Sequence, residues 1–262
     1  MTAHQPDIYI EAHKDHARLV LNRPAKKNAI TLAMWDAIPQ LLEEALEMCG
    51  VRALVVTGNG RAFAAGADIA EFETVYATPQ AAMANQARMQ TAMNALENFP
   101  LPTLAMIEGA CVGGGCGLAL SCDLRFAADD ARFGITPAKL GLVYGIADTR
   151  RLVQAVGLSA AKDILFSGRL LDAQEAQRLR LIDHICAPQD LGDHVAAYIA
   201  GLARASSFSA RATKQILAQL RDGTVYDNDQ SRALFASAFS GSDFREGFAA
   251  FTQKRAPNFD QE

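Results

Sequence analysis

At 262 residues, half of them hydrophobic, the chain can bury a substantial core as one large domain or one domain with an appended subdomain. Its 25 basic and 29 acidic residues leave a net charge of −4, which speaks against a global attraction to nucleic acid or to a membrane surface. No run of about 18 apolar residues is present to span a bilayer, and Cys49, Cys111, Cys116, Cys122 and Cys186 form neither a C-x-x-C pair nor a metal-ligand spacing with the histidines.

The first seven residues are polar and lack an apolar h-region, so no signal peptide is expected. With an odd cysteine count, this points to a reducing, cytoplasmic setting and mostly buried thiols. Short strands are expected over 8–12 and 17–21, separated by the polar turn at His13, Lys14 and Asp15. A polar loop follows, Asn22-Arg23-Pro24-Ala25-Lys26-Lys27-Asn28-Ala29. Thr31 then caps a helix whose apolar face is Trp35, Ile38, Leu42, Ala45 and Cys49, with Pro39 expected to kink or split it.

A buried strand over 53–57 ends at Gly58-Asn59-Gly60 and leads into the small-residue loop Ala62-Phe63-Ala64-Ala65-Gly66-Ala67-Asp68. A helix over 79–98 is capped by Thr78 with Pro79 at its first position. The third buried strand, 103–107, feeds Gly113-Gly114-Gly115-Cys116-Gly117, and short strands are expected over 124–127 and 131–134. Beyond Pro137 the pattern is mostly helical, over about 148–156, 158–166, 173–179, 190–204, 208–221, 229–239 and 242–254. The last helix carries Phe244, Phe248 and Phe251 on one face. Strand–helix alternation followed by helices predicts an α/β core with a helical C-terminal region that packs on the core or on another subunit.

The glycine stretch admits two readings. Glycines permit a tight, close-packed turn. They also leave a helix start bare, where unpaired N–H groups and the positive end of the helix dipole stabilise an anion or a developing oxyanion.

Taken together, Leu21-Asn22-Arg23-Pro24, the 62–69 loop ending in Ile69, the triple glycine and Asp123 give a chain that resembles the enoyl-CoA hydratase/isomerase, or crotonase, family nearly end to end, closing on Glu246-Gly247 and 251–255. The resemblance implies a spiral of stacked β-β-α units over 1–200. It further implies a C-terminal helical oligomerisation region over 201–262, with homotrimers that can pair into hexamers. Backbone N–H groups of Ala67 and Gly114 would hold the thioester oxygen of an acyl-CoA as it takes on enolate charge. Coenzyme A would come as part of the substrate, with no prosthetic group. Lys26 or Lys27 would meet its phosphates, and backbone around Ala65, Asp68 and Ile69 its adenine. Phe251 and Lys254 would reach over from the C-terminal helix of this chain or a neighbour. Otherwise these lysines are solvated surface charges and Phe251 is core.

The pattern departs from the family where the chemistry is done. The family's hydratases carry two glutamates that activate water, and the matching positions here are Gly117 and Pro137; some isomerases place an acid at the position of Gly145. Hydration needs a base and an acid. The segment with Thr136, Leu140, Gly141 and Tyr144 resembles the methylmalonyl-CoA decarboxylase branch, in which loss of CO₂ itself creates the enolate. That branch has a histidine at the position of Ala67 and a glutamate at that of Gly117. Tyr144, aided by Thr136, can donate a hydrogen bond or proton, or else be a packed tyrosine. Asp68 and Asp148 have helix-capping explanations, Glu71 flanks the first loop, and Cys116 reads as a small buried cysteine. Decarboxylase-like chemistry is placed narrowly first, hydratase or isomerase chemistry second, and a non-catalytic acyl-CoA-binding protein third. A dinucleotide-binding enzyme loses support, since no G-x-G-x-x-G occurs.

Overall fold

Parallel strands buried on both faces read as unbroken apolar runs, and β3 (Ala53–Gly58) is of this kind. In the computed structural model, which describes residues 5–259, β3 lies in a six-stranded sheet. The polar start read from Met1 lies partly outside the described residues, as do the last three positions. The sheet begins with the antiparallel hairpin β1 (Ile8–Ala12) and β2 (His16–Leu21), and α1 (Leu32–Glu47) crosses from β2 to β3. Next come the single turn α2 (Phe72–Val75), α3 (Pro79–Glu97), β4 (Thr103–Ile107), β5 (Ala110–Val112) and α4 (Gly114–Leu120). The chain continues through β6 (Leu124–Ala128), β7 (Arg132–Gly134), α5 (Ile146–Ser167), β8 (Leu170–Asp172), α6 (Ala173–Arg178) and β9 (His184–Cys186). Helices α7 (Leu191–Ala203), α8 (Ser207–Arg221), α9 (Asp229–Ser240) and α10 (Ser242–Gln253) close it.

The large sheet runs β1-β2-β3-β4-β6-β9, parallel from β2 onward, and the small one runs β5-β7-β8. Two successive turns of chain, β4-β5-α4 and β6-β7-α5, each deliver one strand to each sheet and then a helix. The turn before them does the same in outline: after β3, Ala64 makes a parallel bridge to Cys111 of β5 before α3 begins. This is a spiral of β-β-α units, as expected.

Because strand side chains alternate between faces, β3 serves two cores. Leu54 and Val56 pack with Trp35, Ile38, Met93 and Phe133, while Ala53 and Val55 pack with Leu104, Phe126 and Leu191, Val195, Ile199 of α7. Asp123 ties the sheet edge to the C-terminal helices. Its Oδ2 accepts from the Thr103 N–H at 2.7 Å and hydroxyl at 3.0 Å, and from Lys214 Nζ of α8 at 2.6 Å.

Several expectations need correction. Pro39 does not split α1, which runs unbroken from Leu32 to Glu47 with Thr31 as its cap. Burial of Trp35, Ile38, Leu42 and Ala45 outweighs the lost hydrogen bond, a cost of about 3 kcal/mol. Cys49 lies past the end of that helix and is exposed, whereas Cys111, Cys116 and Cys122 are buried. The region after Pro137 is mostly helical as expected, but it also contributes the short strands β8 and β9. Asp148 is not a helix cap either: α5 starts at Ile146 with Gly145 as its cap, two residues earlier than expected. The expected break at 157 is present, because Gly157 interrupts α5 with φ 78°. No helix among the described residues is long and apolar enough to cross a membrane.

Candidate active site

The loop between β3 and α2 is held by buried polar groups at its start. Asn28, in the left-handed region at φ 55°, accepts from the Arg23 N–H at 2.8 Å and donates to the carbonyls of Asn59 and Ala62 at 3.0 and 2.7 Å. Arg23 in turn pairs with Asp68 at 2.7 Å and donates to the Ala29 carbonyl at 2.7 Å. Further on, Ile30 donates to the Gly66 carbonyl at 2.8 Å and accepts from the Asp68 N–H at 3.0 Å, which brackets Ala67 in a parallel bridge. In such a bridge the flanking residues make the hydrogen bonds and the central one faces away. The Ala67 N–H accordingly has no acceptor among the described residues.

Each of the three glycines opposite has its own reason. Gly113 caps α4 at φ 55°, ψ −119°, a conformation reserved in practice for glycine. Gly114 is the first residue of α4, so its N–H has no acceptor within the helix. Gly115 abuts the first loop: a Cβ there would stand 2.6 Å from the Ala64 carbonyl oxygen. The tight turn and the bare helix start, posed above as alternatives, are both present. The close packing brings the two loops together.

Ala67 and Gly114 line one cavity of about 520 Å³, together with Lys26, Ala65, Asp68, Ile69, Thr136, Leu140 and Tyr144. Adjoining it is an inner pocket of about 220 Å³, sharing Gly113, Gly114, Met89 and Tyr144 and lined also by the buried Met93 and by Met83 and Val143, both exposed. No lysine, arginine or histidine lines the inner pocket, and Asp148 is its one carboxylate among the described residues.

The positions matched to the family's acids are filled from α3. A Cβ on Gly117 would lie 3.0 Å from Met93 Sδ, and one on Gly145 would lie 2.0 Å from Gln86 Nε2 and 3.7 Å from Asp148 Oδ2. Asp148 Oδ2 accepts from Gln90 Nε2 at 2.7 Å, and its Oδ1 stands 3.7 Å from Arg151 Nη1. Burial raises the Asp148 pKa above the usual carboxylate range, although Gln90 and Arg151 pull the other way. Tyr144 separates the two cavities, and its hydroxyl has no hydrogen-bond partner among the described residues. Burial first, then the nearby Cys116, Asp148 and Tyr76, holds its phenol well above the ordinary value.

Other residues are accounted for structurally. Asp68 accepts from the Ala70 N–H at 3.0 Å, as a capping residue does, and Glu71 accepts from the Leu32 N–H at 2.9 Å at the start of α1. Cys116 is buried and donates its thiol to the Cys111 carbonyl at 2.8 Å. Thr136 lines only the outer cavity. Lys27 does not line it: its backbone is left-handed, and its carbonyl accepts from the Ala65 N–H at 2.9 Å. Nor do Phe251 and Lys254 of the same chain, since Phe251 is 85% exposed beside Phe244 and Phe248 in a separate groove. The residues missed in the sequence belong to α3, where Met83, Gln86, Gln90 and Met93 follow the i, i+3, i+7, i+10 spacing of one helix face.

Two backbone N–H groups without an acceptor among the described residues line one cavity, which is what stabilising a developing oxyanion requires. The family model described as enoyl-CoA hydratase/isomerase matches residues 12–262, and the chain belongs to that family. The 2,3-dehydroadipyl-CoA hydratase of Escherichia coli is 37% identical over 243 residues, 92% of this chain and 93% of that one. The crotonyl-CoA hydratase of Syntrophomonas wolfei is 32% identical over 262 residues, 97% of each chain. Among solved structures, a protein assigned to the enoyl-CoA hydratase/isomerase family from Hyphomonas neptunium matches at a TM-score of 0.94 and 44% identity, covering 97% of both chains. The protein is thus a crotonase-family enzyme of acyl-CoA thioesters. Its relatives' names favour the hydratase or isomerase reading over the decarboxylase-like one placed first above.

Proposed function

We propose that the chain binds an acyl-CoA with its thioester oxygen between the Ala67 and Gly114 N–H groups and moves a proton at the neighbouring carbon. The observation that carries this is the pair of unpartnered N–H groups on one cavity, opening inward onto an apolar pocket. Donors fixed before the reaction stabilise enolate charge as it forms, each worth about 10²–10³ in rate. With Gly117 and Pro137 in place of two carboxylates, water is not clamped as in a two-acid hydration. Single-carboxylate chemistry, the shift of a double bond, therefore stands ahead of hydration. Hydration, the reaction that the relatives' names carry, is the second reading.

In this reading the outer cavity takes the pantetheine arm. Lys26 at its rim meets the phosphates, with Lys27 as a second cation, and backbone at Ala65, Asp68 and Ile69 receives the adenine. The inner pocket, which has no cation and one carboxylate, takes an acyl chain without a terminal carboxylate. Phe251 and Lys254 act from a neighbouring subunit of a homotrimer or a dimer of trimers. The exposed Phe235, Phe239, Phe244 and Phe248 within 201–262 support such an assembly. No prosthetic group is required, and the setting is cytoplasmic.

The test is incubation with crotonyl-CoA, 3-hexenoyl-CoA and methylmalonyl-CoA, followed by mass spectrometry and chromatography of the isomers. Conversion of 3-hexenoyl-CoA to the 2-enoyl thioester is expected. Rapid hydration of crotonyl-CoA, or binding of all three with no turnover, would overturn the proposal.

A further inference from the structure

The geometry points to Asp148 as the residue that carries the proton, a catalytic carboxylate supplied by the first turn of α5. This rests on the oxyanion-hole reading above and adds to it the group that does the chemistry.

Three observations converge. Asp148 is the one carboxylate among the described residues lining the inner pocket, which it shares with Gly114, Gly117 and Tyr144. Its Oδ2 stands 3.7 Å from where a Cβ on Gly145 would be, beside the Gln86 amide that occupies that space, so it lies next to the position where some family members place an acid. The side chain is also held in place: Gln90 Nε2 donates to Oδ2 at 2.7 Å, and Gln90 Oε1 accepts from Arg151 Nη1 at 3.0 Å. Arg151 is anchored in its turn by Glu97 at 2.9 Å and Asn94 at 2.6 Å. Oδ1 stands 3.7 Å from Arg151 Nη1, and the carboxylate also accepts from its own backbone N–H. A carboxylate fixed in place on the pocket wall is suited to passing a proton.

The step balances without a co-reactant. The Asp148 carboxylate accepts the α-proton of a 3-enoyl thioester. The C–H electron pair moves into a dienolate whose oxygen lies between the Ala67 and Gly114 N–H groups. The same carboxyl returns the proton to the γ-carbon as the double bond shifts to the 2-position. Groups facing Asp148 set the pH at which it works. Arg151 on its own helix favours the ionised form, and Glu97 of α3 partly neutralises that arginine. Arg150 is also committed to Glu97, at 3.0 Å, while Tyr144 and Tyr76 border the same pocket as neutral phenols. Burial outweighs the arginine, so the carboxyl titrates above the ordinary aspartate range.

The experiment follows 3-hexenoyl-CoA in D₂O, reading deuterium uptake and the 2-enoyl product, with Kd from calorimetry and Tm for each variant. Asp148→Asn keeps the shape and the Gln90 bond; it is expected to lower exchange by about 10²–10⁴ with Kd and Tm nearly unchanged. The acid limb of the pH–rate profile should vanish with it, and Asp148→Glu should restore part of the rate. Wild-type exchange rates in Asp148→Asn would overturn the proposal. So would parallel losses of rate, Kd and Tm in both variants, which would mark a structural tie between α3 and α5. A wild-type protein that binds the thioester without exchanging protons would overturn the proposed reaction and this role together, and one that binds no acyl-CoA would overturn the acyl-CoA site itself; exchange that survives in Asp148→Asn would overturn the role of Asp148 alone.

Discussion

The oxyanion role of Gly114 can be isolated by substituting proline, because the group in question is a backbone N–H. As the first residue of α4, Gly114 donates no helical bond, and proline is well suited to that position. Gly113, at ψ −119°, lies outside the α region that a following proline disfavours. Any residue with a Cβ at 114 also presses on Trp35 Cζ2 at 3.1 Å and touches Met89 Cε at an ordinary 3.5 Å. Gly114→Ala incurs that crowding and keeps the donor, so it is the control. Repacking around the methyl should cost the alanine variant about tenfold in kcat/KM, or ~1.4 kcal/mol. Gly114→Pro should fall a further 10²–10³, the value of about 2.7–4 kcal/mol for one oxyanion donor. The assay is kcat/KM on one acyl-CoA, with affinity for free CoA measured alongside and expected to hold in both variants. Equal activity of the proline and alanine variants would refute the assignment.

Other outcomes follow from the same geometry. Tyr144→Phe should reduce kcat about 10–100-fold, the worth of a ~1.5–3 kcal/mol hydrogen bond to a charged species, and leave Tm unchanged because the hydroxyl has no partner among the described residues. Glu97→Gln strips the buried Arg151, 1% exposed, of its nearest carboxylate and leaves only Asp148 at 3.7 Å; urea denaturation should show a loss of about 3–5 kcal/mol, whereas a loss below ~1 would mean the pair is effectively solvated. Burial, with His13 and Arg18 beside it, lowers the His16 pKa to about 4, against about 6.5 in the unfolded chain. Protonation therefore favours unfolding, and the stability that neutral His16 contributes is present above about pH 6.5 and lost as pH falls toward 4. Stability curves of wild type and His16→Gln should converge or cross in that window; curves that stay parallel would show that His16 does not govern it.

The sequence was most informative where local chemistry and burial agree. Thr31 and Thr78 accept from backbone N–H groups at their helix starts, as their spacing implies. Asp123 pins β4 to β6 through Thr103, and the glycine stretch lines the cavity. Legibility failed where a feature depends on distant chain. The strands β5, β8 and β9 are three residues each, too short for alternation to register, and exist because neighbouring turns supply partners. Asp148 looked like a cap because the residues before it, Gly145 and Ile146, gave no helical signal; its place in the pocket is fixed by Gln90, more than fifty residues away in sequence. Likewise, Gly117 and Gly145 read as missing acids, whereas the side chains that occupy their space, Met93 and Gln86, come from α3. Lys27 read as a phosphate ligand equivalent to Lys26 until its left-handed backbone turned it from the cavity.

The central claim is that Ala67 and Gly114 together hold a thioester oxygen. A crystal structure with a non-reactive acyl-CoA analogue tests it directly. The oxygen is expected at about 2.7–3.1 Å from both backbone nitrogens, with the acyl chain in the inner pocket beside Tyr144 and Asp148. An oxygen bound away from both nitrogens, or an acyl chain left outside the inner pocket, would contradict the account.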